Sequence, residues 1–227
     1  MRTIRVRPFL LPAVLSMLLA GCPASTPDKP AVNLQNAAGT ADFANIEANL
    51  AAGVDVNERG RSGATAVHAA AWSDHPEIVR LLVSKGAKPD LVDEKDYTPL
   101  CYAAQNGFPR VAEALLEAGA DVNFQNQYGW AAIHSAASQG KVELLGILLD
   151  AGAEVQVRDG FGKSPLHMAV KSHETTEDKL KIAALLIERG ADVNRKDRSG
   201  RTPLAEANSK SQDAALSEFL KSKGGTE

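Results

Sequence analysis

Thr65-Ala-Val-His68, Thr98-Pro-Leu-Cys101, Ala131-Ala-Ile-His134 and Ser164-Pro-Leu-His167 recur at a constant step of 33 residues, and Thr202-Pro-Leu-Ala205 follows after 38. A second register, Gly53, Gly86, Gly119, Gly152 and Gly190, keeps the same steps of 33, 33, 33 and 38. Two independent landmarks with one period make the chain a repeat array, in which each unit packs on its neighbours rather than around a central core. The third copy shows what a unit is. The Ala-rich stretch from Ile133 to Ser138 reads as a helix whose small side chains let a neighbour approach closely, and Gln139-Gly140 breaks it. Val142, Leu145, Leu148 and Leu149 then recur at helical spacing in a second helix, which Gly152 ends because glycine takes left-handed dihedrals freely. Such a pair cannot bury its apolar faces alone, so stacking must do it.

Composition agrees with that reading. Hydrophobic residues make up 44% of the 227 but aromatics only 5%, so the core must be built from Ala, Leu, Val and Ile, which suits thin, close-packed helices better than a sheet sandwich. The formal charge is −3, from 25 basic and 28 acidic residues; without Arg2, Arg5 and Arg7 the balance is 22 to 28, near −6. A net-acidic body lacks the basic footprint that drives binding to phosphate backbones, so nucleic acid is not expected as a partner.

The motifs resemble the ankyrin consensus, Gly-x-Thr-Pro-Leu-His-x-Ala-Ala, then a Leu-Leu pair, then Gly-Ala-Asp-Val-Asn, which stands here as Gly119-Ala-Asp-Val-Asn123 and Gly190-Ala-Asp-Val-Asn194. The resemblance implies an all-α fold, an ankyrin-repeat solenoid of paired antiparallel helices with β-hairpin-like turns, running over 31–227. Its expected units are an amino-terminal cap at 31–57, full repeats at 58–90, 91–123, 124–156 and 157–194, and a carboxy-terminal cap at 195–227. Asn45, Glu47 and Asn49 are expected to add polarity to the first cap's exposed helix. The fourth repeat is five residues longer, with the excess in Ser172 to Lys179, where Thr175 or Thr176 is placed to cap a lengthened second helix.

At the other end, Arg2, Arg5 and Arg7 precede an apolar run from Pro8 to Ala20 that is too short to span a bilayer comfortably, the layout of a secretory signal. Leu19-Ala-Gly-Cys22 resembles the lipobox of bacterial lipoproteins, which implies a signal peptide over 1–21, removed on maturation, and an acylated Cys22. Acyl chains contribute roughly 0.8 kcal/mol per buried methylene, so two or more would anchor the protein stably. Residues 22–30 then form a Pro-rich tether, extended over about 25 Å, that keeps the body near the lipid. Pro23, where Asp is usually linked with inner-membrane retention, points to the outer membrane, and the expected location is the periplasmic side of the envelope.

His68, His134 and His167 share one repeat position, at which the resemblance implies hydrogen bonds tying adjacent turns together; Cys101 occupies the same position and is expected to be a buried, inert thiol. No Gly-rich phosphate loop, no paired Cys or His spacing and no Ser, His and acid constellation stands apart from the repeats, so neither an enzyme nor a cofactor or metal site is expected. By resemblance, partner contacts belong to a concave face lined by the hairpin tips and the ends of the first helices. Five of the eleven aromatic residues, Trp72, Tyr97, Tyr128, Trp130 and Phe161, fall on those positions, with Trp130 near the centre and Tyr97 and Trp130 as expected neighbours. Arg61, Lys95, Lys163, Lys171, Arg198, Arg201 and Lys210 add a basic rim suited to an acidic partner surface. The expected function is a membrane-tethered, monomeric protein-binding module that restrains or protects a periplasmic enzyme; the alternative is an envelope scaffold laid on an anionic polymer or lipid headgroups.

Overall fold

The computed structural model describes residues 32–172, 174–210 and 213–227, with the Lys210 side chain left out. The signal segment, Cys22, the tether and His173 lie outside the described residues. Those described hold twelve α-helices and no strand. An inner row contains α1 (Leu34–Gly39), α3 (Ala66–Trp72), α5 (Pro99–Asn106), α7 (Ala132–Ser138), α9 (Pro165–Lys171) and α11 (Pro203–Lys210). Each is followed by its antiparallel outer partner: α2 (Phe43–Ala51), α4 (Pro76–Ser84), α6 (Pro109–Glu117), α8 (Val142–Asp150), α10 (Thr176–Glu188) and α12 (Ala214–Ser222). Inner helices pack in sequence from α1 to α11, and outer helices stack from α4 to α12. One apolar core therefore runs the length of the array, with Ala70, Ala103, Ala136, Ala169 and Ala207 buried between inner helices and Ile78, Leu115, Leu148 and Leu186 beneath the outer ones.

The inner helices start where the sequence supplies caps. Pro99, Pro165 and Pro203 each open a helix, where a missing N–H costs nothing because no intrahelical acceptor faces it. Thr98 Oγ1 accepts from Cys101 N–H at 3.4 Å and Thr202 Oγ1 from Ala205 N–H at 3.1 Å. In α7 the capping position is Ala131, which has no oxygen to offer. The longest helix, α10, has 13 residues; Thr175 Oγ1 accepts from Asp178 N–H at 3.2 Å, so Thr175, of the two expected candidates, is its cap. In the first unit Asn49 departs from expectation. It is buried, and its Nδ2 donates to the Val32 carbonyl at 2.8 Å and the Asn45 carbonyl at 2.6 Å, because the chain entering α1 leaves a carbonyl that needs a donor.

Between outer and inner helices the chain turns through hairpin-like loops. Asp93, Asn126, Asp159 and Asp197 each accept two loop N–H groups on Oδ1, from the second and fourth residues ahead, and each loop also closes through its own backbone: Asp93 N–H to Tyr97 O at 3.0 Å, Asp159 N–H to Lys163 O at 2.9 Å. Successive loops are linked from Ser62 O to Glu94 N, Tyr128 O to Gly160 N and Phe161 O to Arg198 N. Gly129 has φ +70 with the Arg158 carbonyl only 2.7 Å from where a Cβ would stand, so that loop position requires glycine. Asp96, at φ 63, holds the same place in the second full repeat and uses its carboxylate to accept Gln127 N–H at 2.6 Å.

Three imidazoles join repeat to repeat. His68 Nδ1 accepts Thr65 N–H at 3.1 Å while Nε2 reaches the Tyr97 carbonyl at 3.1 Å. His134 makes the same pair with Ala131 and Lys163, and His167 with Ser164 and Arg201. Only the neutral Nε2–H tautomer satisfies both bonds. Burial pushes all three pKa values down, His134 to about 4. The unfolded chain takes up these protons near pH 6.5 and the folded chain does not, so this stability is whole above about pH 6.5 and lost as pH falls towards about 4. Urea unfolding should therefore show a lower midpoint at about pH 5 than at about pH 7.5, and equal midpoints would remove the imidazoles from the stability account. Ala131→Ser, which supplies the absent cap, should raise unfolding stability by about 1 kcal/mol; a loss in the same measurement would mean that the hydroxyl finds no N–H at the start of α7.

Candidate functional site

The Asx-held loops and the last turns of the inner helices form one face, and the residues on it divide into two ends. At the first end lies a cleft of about 600 Å³, bounded by Gly39 and Thr40 at the end of α1, Ala64, Ala69, Trp72 and Ser73 around α3, and Asp93, Lys95 and Tyr102 from the next unit. Trp72 is 54% exposed although it is one of the largest apolar side chains in the chain. Its ring meets Tyr102 edge-on, centroids 5.2 Å apart at 80°, so two aromatic faces make a corner. Tyr102 is held there: its hydroxyl donates to Asp93 Oδ2, and its ring packs on Tyr97 at 5.7 Å and His68 at 6.1 Å. Burial and the Asp93 hydrogen bond raise the Tyr102 pKa, so it stays a donor. Burial alone would raise the Asp93 carboxyl, but the Tyr102 hydroxyl and the loop N–H groups outweigh it and hold the pKa low.

The middle of the face differs from expectation. Tyr97 and Trp130 occupy the same repeat position, yet each ring turns to its own repeat. Trp130 stacks on His134 at 5.3 Å and 29°, and its Nε1–H donates to Ser135 Oγ at 2.7 Å. It is half-buried, and the hydroxyl below it supplies the acceptor that a part-buried indole needs. Trp130 is thus largely a prop of the third full repeat, and the exposed aromatic surface is Trp72 at one end with Tyr128 and Phe161 at loop tips, 64% and 73% exposed.

The basic residues also separate. Arg61, Lys95 and Arg198 are exposed. Lys163, expected on the rim, is buried: its Nζ lies 3.2 Å from both oxygens of Glu206 and 3.9 Å from Asp197 Oδ2. That corrects its placement, and the reason is Glu206, a carboxylate 1% exposed that draws in every cation within reach. Lys171 Nζ lies 3.7 Å from Glu206 Oε1, and one Arg201 amino group 3.5 Å from Glu206 Oε2 and 3.7 Å from Asp197 Oδ2. Both still expose part of their side chains, 35% for Lys171 and 40% for Arg201. Burial would raise the Glu206 pKa, but the Lys163 hydrogen bonds and the charges of Lys163, Arg201 and Lys171 hold it below the ordinary carboxylate range. The Lys210 side chain lies outside the described set.

Tyr102, Ser135 and Glu206 were not singled out by the sequence, although all three follow the His position of their repeats, where Ala69 and Met168 stand elsewhere. A side-chain oxygen at that position, which Ala69 and Met168 lack, was the available signal. Cys101 is buried, its thiol accepts from Thr98 Oγ1 at 3.4 Å, and burial raises its pKa, so it is a protonated core group. Among the described residues, no group of three His, Cys, Asp or Glu side chains is placed to hold a metal ion.

Glu206 is the member of the basic end on which the others converge. Glu206→Ala leaves Lys163 buried without its main partner and should cost about 3–5 kcal/mol in chemical unfolding, with Glu206→Gln costing less. Equal stability of wild type and Glu206→Ala would mean that Lys163 escapes to water unaided.

Comparison with known proteins accords with this architecture. A family model described as ankyrin repeats (three copies) matches residues 34–126, 100–197 and 133–225. Cortactin-binding protein 2 of Rattus norvegicus is 32% identical over 91 residues, 40% of this chain and 6% of that protein. Inversin of Danio rerio is 39% identical over 61 residues, 27% of this chain and 6% of that protein, and an L-asparaginase of Dirofilaria immitis is 35% identical over 72 residues, 32% and 12% respectively. The chain thus spans about an eighth or less of the length of these relatives. A crystal structure of an ankyrin repeat domain from Acinetobacter baumannii AYE superposes with a TM-score of 0.77 at 28% identity, covering 85% of this chain and 98% of that one. With helix pairs, loops and imidazole bridges repeating across the matched residues, the chain belongs to the ankyrin-repeat family, whose repeats are protein–protein interaction modules.

Proposed function

We propose that this protein is a membrane-tethered, periplasmic protein-binding module of the bacterial envelope, which holds one protein partner, a periplasmic enzyme that it restrains or protects, on its inner-helix face. In this reading residues 1–21 are removed, Cys22 carries the lipid, 22–30 form the tether, and 31–227 act as a monomer at the outer membrane. Leu19-Ala-Gly-Cys22 supports the anchor. The observation that carries the binding role is the corner of Trp72 and Tyr102: a large indole, half in water, opens a cleft beside a ring locked by a buried carboxylate. A helix pair does not need that arrangement to stack, since Gln105, Ser138 and Lys171 stand at the position of Trp72 in the repeats that follow. Rigid aromatic surface of this kind is enriched where binding energy concentrates.

A photo-crosslinking amino acid in place of Trp72 should trap a discrete protein partner in intact cells, and the same group in place of Glu143, on α8 of the opposite side, should not. Equal trapping from both positions, or from neither, would count against the inner face as the site. In the same cells the wild-type chain should take up a fatty-acid probe and Cys22→Ser should not; an unlabelled wild type would remove the anchor from the proposal.

A further inference from the structure

Trp72 and Lys171 occupy the same repeat position, the last turn of α3 and of α9, three inner helices apart. Between them stand exposed Gln105 and half-buried Ser138, short or flexible polar groups that leave the middle of the row open. One end of this row is the aromatic cleft. The other is cationic: Lys163, Lys171 and Arg201 gather around Glu206 and Asp197, three positive charges against two negative, with Arg198 exposed at the adjoining loop tip. Arg201 is also incompletely satisfied. Its Nε–H is buried with no acceptor, while 40% of its side chain faces solvent. The buried Nε–H is out of reach of a ligand, but the exposed part of the side chain keeps a positive charge at the surface that one more carboxylate can pair with.

The two ends are a fixed distance apart. Packed helices lie 8–10 Å from one another, so three steps along the inner row cover roughly 24–30 Å. A peptide in extended conformation rises about 3.3 Å per residue and spans that distance in about seven to nine residues. Backbone amides crossing the middle would meet Gln105 and Ser138, side chains that hydrogen-bond without selecting a sequence.

Resting on the reading of this face as a protein-binding site, we propose that the segment it recognises is an extended acidic peptide, with one aromatic or large aliphatic side chain in the Trp72–Tyr102 cleft and carboxylates about eight residues away on Arg201, Lys171 and Arg198. The apolar anchor supplies affinity by leaving water, and the charge pairing fixes which way round the segment lies. On a net-acidic body the basic end is the part of this face that attracts rather than repels such a segment.

The test is fluorescence anisotropy with the full chain in nanodiscs of neutral phosphatidylcholine and fluorescein-labelled synthetic peptides. Each peptide carries one Phe, a Gly/Ser spacer of about eight residues and a terminal Asp-Glu-Asp, made in both chain directions. One direction should bind at least about fivefold more tightly than three controls: Phe replaced by Ser, the acids replaced by Lys, and the spacer cut to about four residues. Raising salt from about 0.05 to about 0.5 M should weaken the acidic peptide and leave the Phe contribution in place. Trp72→Ala should bring the Phe peptide to the level of its Ser control. The double variant Lys171→Gln, Arg198→Gln, checked for fold by circular dichroism, should erase the preference for acids over lysines. Affinity indifferent to spacer length, or a Lys peptide that binds as well as the acidic one, overturns the proposal; so does polyglutamate without Phe binding equally tightly, which would indicate plain polyanion binding. If these peptides fail while crosslinking from position 72 still traps a partner, the face binds protein by other chemistry; if both fail, the binding reading fails with them.

Discussion

Everything in this protein depends on the coupling of each repeat to the next, because no helix pair has a core of its own. Apolar stacking supplies the bulk of that coupling, and the neutral imidazole bridge sets its register: one ring nitrogen closes the start of its own helix and the other reaches a loop carbonyl one repeat away. The bridge spans His68 to Tyr97, His134 to Lys163 and His167 to Arg201. Between the second and third full repeats the junction is made differently. Cys101 stands in the imidazole position and interacts with Thr98 of its own turn, and the Asp96 carboxylate, rather than a backbone carbonyl, accepts the N–H of the following loop at Gln127. That junction lies between the aromatic cleft and the basic end, so the separation of the two is set mainly by the packing of α5 against α7.

The array was legible in the sequence because its causes are local. A 33-residue step, Pro at helix starts, Gly at helix ends and Thr or Ser at caps each act within a few residues, and the helices follow from them, with Thr175 one of two candidates for the α10 cap; the three imidazole bridges were legible only through the family resemblance. The fate of surface side chains was much less legible, because it is decided one repeat away. Lys163 reads as a groove cation until Glu206, 43 residues later, is known to lie beside it. Asn49 reads as a polar ornament until the Val32 carbonyl is placed above it. Trp130 reads as the middle of a patch until Ser135 and His134 claim its two faces of chemistry, the N–H and the ring.

The cases of Lys163 and Trp130 share a mechanism with the Tyr102 corner. The position after the His points at the loop of its own repeat or of the one before, and whatever stands there decides whether the loop side chain is kept or released. Tyr102 binds Asp93 and builds the corner with Trp72; Ser135 captures Trp130; Glu206 captures Lys163 and leans on Lys171 and Arg201. Ala69 has no polar group to hold anything, and it is beside Ala69 that the cleft opens. The binding character of each stretch of the face is therefore written by one inner-helix residue per repeat rather than by the loop tips alone.

Charge follows the same logic. The chain carries more acidic than basic residues, so a uniformly spread charge would repel acidic partners over the whole surface. Glu206 and Asp197 neutralise part of the cation cluster but also fix it, since a lysine or arginine tied to a buried carboxylate loses the freedom to turn away from the face. Cations held in place act at short range, where screening by salt is weakest, whereas mobile surface lysines act mainly through a diffuse field. A buried carboxylate at the basic end thus lowers the number of available positive charges while making those that remain more directional, and directional charge is what discriminates between partners of similar net charge.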